Sequence, residues 1–195
     1  MMTNLTIKKK AHLNSDNEFL KIKYVYGLNT QKKQTCKFIS NTTLAYLAGC
    51  NILTIDIETL KQKIFHFKCK GQIEILEIST DQRYGLLVDI DYKYSILNLV
   101  DLCELKGSDS KSIIPKNSTE IKNEIINSVS ISTNNELIAC HTNQPNNNLI
   151  IFSFRLEILN KIKKNWPSIE KERSYSDEYY VCFLPYDNRR LFIVG

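Results

Sequence analysis

Residues 75–99 read Ile-Leu-Glu-Ile-Ser-Thr-Asp-Gln-Arg-Tyr-Gly-Leu-Leu-Val-Asp-Ile-Asp-Tyr-Lys-Tyr-Ser-Ile-Leu-Asn-Leu. Ile75, Glu77 and Ser79 alternate with Leu76 and Ile78 until Thr80-Asp81-Gln82-Arg83 breaks the pattern with turn residues. Tyr84 to Val88 resumes an apolar run with Gly85 inside it, which disfavours a helix. After a second polar interval, Asp89 to Lys93, the run Tyr94 to Leu99 sets Tyr94, Ile96 and Asn98 on one face against Ser95, Leu97 and Leu99. The stretch predicts three strands and two turns. A sheet built on it, of about 40 residues, cannot bury its own apolar face, so similar sheets must stack beside it.

The same order of strand and turn recurs on both sides. A first unit, residues 35–67, runs from Cys36-Lys37-Phe38-Ile39 through Leu44 to Ala48 and Ile52 to Ile57 into Gln62 to Phe67. A third begins at Ser128 to Ile131, turns through 132–136, and continues with Leu137 to Cys140, a long turn His141 to Asn148, and Leu149 to Phe154. Leu156 to Ile162 supplies its fourth strand. A fourth opens at Tyr179 to Phe183, turns through 185–189 and enters Leu191 to Val194. The second unit extends to about Lys106, and the polar stretches 107–123 and 163–178 read as surface insertions. Residues 1–18 are a patternless, flexible leader. Leu20 to Tyr26 alternates apolar with basic residues up to Gly27 and reads as a solvent-facing strand fit to complete the last blade of a ring.

Ile39, Ile78, Ile131 and Phe183, the last apolar residues before each first turn, lie 39, 53 and 52 positions apart. A period near 40 with short antiparallel strands predicts an all-β fold, a partial β-propeller of WD-repeat type, with about four degenerate blades of four-stranded sheet over residues 19–195. A β-sandwich is the structural alternative. A seven-bladed ring needs roughly 300 residues, so the propeller is expected to be incomplete at its C-terminal end, with a longer chain or a partner supplying the missing blades.

An apolar fraction of 43% and a charged fraction of 24% fit a globular protein and exclude disorder throughout. The net charge of +5 is spread over scattered lysines. The densest runs, Lys8-Lys9-Lys10 and Lys161 to Lys164, lack interleaved aromatics, which argues against nucleic acid as a partner. No window resembles a signal peptide or a membrane span, so a soluble intracellular chain with no membrane contact is expected. The six cysteines stand singly without a Cys-x-x-Cys pair, and several, such as Cys140 and Cys182, fall in apolar strands. Reduced core thiols are expected, and no zinc site. His12, His66 and His141 have no neighbouring ligand or nucleophile pattern. Asp89 and Asp91 are read as turn-starting carboxylates rather than an acid/base pair, and Trp166 as a loop anchor. Phosphate-binding glycine loops and nucleophile elbows are absent from the sequence. The reading contains no catalytic, cofactor-binding or metal-ligating residue and no cofactor, and it favours a chain that is not an enzyme.

The strand-and-turn order resembles that of WD-repeat proteins, here without a Trp-Asp dipeptide. More specifically, Val25-Tyr26-Gly27-Leu28, Gly49-Cys50-Asn51, the run Ile57 to Phe65 with Lys61-Gln62-Lys63, Ile78 to Tyr84, and Phe183-Leu184-Pro185-Tyr186-Asp187-Asn188 form a series. It is similar to the N-terminal propeller of the cilia- and flagella-associated protein 57 family. That resemblance implies a non-catalytic axonemal scaffold within a large complex at the cilium or flagellum. Its implied partners are inner-arm dynein, the regulatory complex, and radial-spoke or doublet-microtubule components. A general cytoplasmic adaptor, in trafficking or ubiquitin transfer, is the alternative.

Overall fold

The computed structural model describes residues 34–103, 112–143, 147–163 and 179–194. The leader, the strand expected at 20–26 and Trp166 lie outside the described residues. Fifteen strands form four sheets among the described residues. In the first sheet β1 (Cys36–Phe38), β2 (Thr43–Ala48), β3 (Asn51–Asp56) and β4 (Gln62–Phe67) pair antiparallel in chain order. The second contains β5 (Gln72–Ile78), β6 (Tyr84–Asp91), β7 (Tyr94–Asp101) and β9 (Asn117–Lys122). The third is β10 (Ile126–Ile131), β11 (Leu137–Thr142), β12 (Asn148–Ser153) and β13 (Ile158–Lys163), and the last is the hairpin β14 (Tyr180–Leu184) and β15 (Asp187–Val194).

Alternation along β6 explains why residues 85–88 read as an unbroken apolar run. Leu86 and Val88 join a core shared with the third sheet, through Val129, Ile138 and Phe152. Leu87 points the other way, into a core shared with the first sheet, beside Ile52, Phe65 and Phe67. Both faces of the second sheet are therefore covered. A third, smaller core of Ala139, Val181 and Phe183 joins the third sheet to the hairpin. Gly85 is needed at the seam, because a Cβ there would come within 2.9 Å of the Leu102 side chain.

The opening turn of the second and third sheets is one device built twice. Ser79 Oγ donates to Asp81 Oδ1 at 2.6 Å and accepts from Tyr84 N–H at 2.9 Å, with Gln82 at φ 55°. Ser132 Oγ donates to Asn134 Oδ1 at 2.8 Å and accepts from Leu137 N–H at 2.9 Å, with Asn135 at φ 56°. The repeated Ser-Thr-Asp/Asn motif closes these turns through side chains because local hydroxyl and carboxyl acceptors satisfy the turn amides.

Several expectations are corrected. Residues 107–123 are not simply an insertion, since β9 is the fourth strand of the second sheet. β8 (Ser112–Ile113) crosses to pair parallel with β4 of the first sheet. His141 and Thr142 belong to β11, and Asn148 to β12, so the turn between these strands is shorter than expected. The hairpin turns on Pro185-Tyr186 alone, with Asp187 to Arg190 already in strand. Leu156, expected to open a strand, lies in the preceding turn at φ 66°. Four strands per sheet hold for the second and third sheets, while five and two are described for the first and last.

Candidate interaction surface

The first strands of successive sheets meet on one side of the stack, where Gln34, just ahead of β1, bonds to both β5 and β10. Its carbonyl accepts Leu76 N–H at 2.7 Å, and its side-chain amide donates to Val129 O at 3.0 Å and accepts Val129 N–H at 3.3 Å. The same amide donates to Glu77 at 3.1 Å, and Lys37 pairs with Glu77 at 2.8 Å. Burial pushes the Glu77 carboxyl above its usual range, against the opposing pull of Lys37. Farther along the stack, β10 holds the hairpin by hydroxyls. Val181 N–H donates to Ser128 Oγ at 3.0 Å and Phe183 N–H to Ser130 Oγ at 3.2 Å.

Asp89 was expected to start a turn, but it lies within β6 and is 2% exposed. Its two carboxylate oxygens accept the N–H groups of Lys70 at 2.7 Å and Gly71 at 2.9 Å. It therefore fastens the segment that leads from the first sheet into the second. Asp91 does take the expected role, its Oδ1 accepting Tyr92 N–H at 2.7 Å in the β6–β7 turn. The two carboxylates serve different backbone groups. Beside Asp89 an open groove of about 330 Å³ lies along the seam between the first two sheets, walled by Lys68, Lys70, Asn98, Ser118 and Glu120.

The histidines separate. His66 sits in β4 with Nδ1 3.2 Å from Asn51 Oδ1, and His12 lies outside the described residues. His141 is 1% exposed, stacks edge-on against Tyr179 with ring centroids 5.5 Å apart, and has no hydrogen-bond partner for either ring nitrogen among the described residues. Burial lowers its pKa. Among the described residues no group of three or more His, Cys, Asp or Glu is placed to hold a metal ion. Nor is any helix there long and apolar enough to cross a membrane.

The cysteines also depart from expectation. Cys50 and Cys69 form a disulfide across 19 residues with Cα atoms 6.0 Å apart. Cys140 is a buried free thiol as expected, whereas Cys182 is exposed on the outer face of the hairpin. Sequence spacing held no signal for the pair, because only the return of β4 alongside β3 brings residue 69 to the β2–β3 turn.

Exposed apolar side chains stand on the outer faces of the first sheet and the hairpin. Phe192 and Val194 alternate with Leu191 and Ile193 in β15, and they are 55% and 61% exposed on the face turned away from the third sheet. On the first sheet, Phe38 and Ile64 are exposed on the face opposite Phe65. Tyr92 and Tyr186 project fully from turns.

The sequence matches no protein-family model. Nor does any curated protein match it. Solved structures do resemble it. The β-propeller domain of Cps50 (Swd1) from Myceliophteria thermophila superposes with a TM-score of 0.55 at 16% identity, over 74% of this chain and 44% of that one. The fold is an arc of a β-propeller. Hydrazine synthase of Kuenenia stuttgartiensis matches with a TM-score of 0.56 at 13% identity, over 78% of this chain and 46% of its own. KlHsv2 with loop 6CD replaced by a Gly-Ser linker gives 0.56 at 13%, over 82% and 48%. The chain spans a little under half the length of each. The propeller expected from the repeat period is thereby shown, and the sandwich alternative is set aside.

Proposed function

We propose that the chain is a non-catalytic scaffold of the ciliary axoneme that supports attachment of inner-arm dyneins or neighbouring regulatory structures to doublet microtubules. The observation that supports the scaffold part is how its polar chemistry is used. Asp89, Ser79, Asp81, Ser132 and Asn134 are engaged in holding turns and segments together, while aromatic and aliphatic side chains such as Tyr92, Tyr186 and Phe192 stand exposed. Exposed anchors of this kind suit protein partners. The fold alone does not decide between scaffold and enzyme, because one of the similar structures is named as hydrazine synthase. The axonemal part rests on the ordered series from Val25 to Asn188 that is similar to the cilia- and flagella-associated protein 57 family. Fractionation of isolated cilia tests it: retention on salt-washed doublets supports the reading, and recovery only in the soluble matrix overturns it. A general cytoplasmic adaptor is the second reading, and abundant expression in cells without cilia favours it.

A further inference from the structure

Cys50 lies in the tight β2–β3 turn after Gly49, whose φ is 62°. Cys69 lies in the segment 68–71 between the first and second sheets, and the two sulfurs are joined. Both sulfurs rest against Gly71 O, at 3.5 and 3.3 Å. Both cysteines are half-buried, Cys69 resting against the core shared by the first two sheets. Lys68 and Lys70 flank Cys69 in sequence and both wall the seam groove. Lys70 further reaches Glu120 at 3.2 Å and stands 5.4 Å over the Tyr94 ring. The segment is thus held from opposite sides, by the disulfide to the first sheet and by Asp89 to the second.

We propose that Cys50 and Cys69 are a reversible thiol–disulfide site whose oxidation fixes the wall of the groove between the first two sheets. Partial exposure gives the two thiols access to a small disulfide in solution. With a low-molecular-weight disulfide as oxidant, the Cys69 thiolate displaces one thiolate from it and forms a mixed disulfide. The Cys50 thiolate then attacks the Cys69 sulfur, closing the protein disulfide and releasing the second thiol. The protein loses two electrons and two protons, and the oxidant becomes two thiols. A dithiol reverses the exchange. The other four cysteines are free thiols, so this is the one place among the six where oxidation closes a disulfide within the chain. Reduction removes the tie to the first sheet and leaves the segment 68–71 held to the second, by Asp89 and by the Lys70–Glu120 pair. This site stands apart from the identity of any scaffold partner.

The test uses the full chain, titrated between oxidised glutathione and dithiothreitol. Alkylation followed by peptide mass analysis should show residues 50 and 69 protected together in the oxidised sample and labelled together in the reduced one. Reduction should lower the unfolding midpoint by about 6–12 °C, the scale for opening a loop of this size. It should also speed amide exchange at Lys70 and Gly71 several-fold without changing β10 and β11. In Cys50→Ser the exchange should stop at a glutathione adduct on Cys69, which is readable even if that variant is less stable. Free thiols at both positions after oxidation would overturn the proposal, as would reduction that leaves exchange at residues 70 and 71 unchanged.

Discussion

Replacing Asp89 should loosen the junction between the first two sheets more than any change to a neighbouring carboxylate. The carboxylate is 2% exposed and receives two backbone N–H groups, at 2.7 and 2.9 Å. A hydrogen bond to a charged group contributes about 1.5–3 kcal/mol, and a buried donor left alone costs a similar amount. Asp89→Ala removes both acceptors, so a loss of about 3–5 kcal/mol is expected. Asp89→Asn keeps one acceptor but turns an NH2 toward the second donor, and it should lose roughly half as much. For a chain of this size each kcal/mol moves the midpoint by about 2–4 °C, so the alanine variant should melt about 10 °C lower. Asp91→Asn is the control, since Asp91 bonds within its own turn, to Tyr92 N–H and the Tyr94 side chain, and it should stay within about 0.5 kcal/mol of the parent. Urea unfolding followed by intrinsic fluorescence measures all three. If Asp89→Ala also stays within about 0.5 kcal/mol, the clasp is not part of the folded state and the reasoning fails.

Gly71→Ala should be nearly as damaging, because its Cβ would sit 2.1 Å from Ile90 O, a backbone atom that cannot rotate away; an unchanged melting curve would contradict this. His141 titrates with burial as the cause of its lowered pKa. The unfolded chain takes up its proton near the usual 6.5 and the folded chain only at lower pH, so the stability it protects is complete above that value and declines as pH falls below it. Its replacement in His141→Phe, which keeps the contact with Tyr179, should flatten the stability profile between about pH 5 and 6.5; a profile as steep as the parent's would refute the assignment.

How much was legible in the sequence followed the range of the interactions involved. Apart from β8 and β9, the strands of the first three sheets, and their period, are written in local alternation and in turn residues, so Ser79 to Tyr84 and Ser132 to Leu137 could be read where they stand. Asp89 was misread because Asp-Ile-Asp looks like a turn until the crossing of segment 68–71 supplies two amides to its first carboxylate. β9 was hidden for a related reason. Asn117 to Lys122 has a polar composition suited to an outer edge strand, with only Ile121 buried, so it lacks the apolar alternation that marks its neighbours. The Cys50–Cys69 pair and the buried His141 ring against Tyr179 likewise depend on contacts between strands and sheets, which spacing does not encode.

The arrangement of separate sheets around converging first strands is tested most directly at β10 and β14, which are joined across the seam by side-chain hydroxyls. Amide exchange at Val181 and Phe183, measured by NMR in the parent and in Ser128→Ala and Ser130→Ala, reads that seam. The arc predicts slow exchange at both amides, accelerated at Val181 by the first variant and at Phe183 by the second. Rapid exchange at both sites in the parent, or rates indifferent to both substitutions, would contradict it.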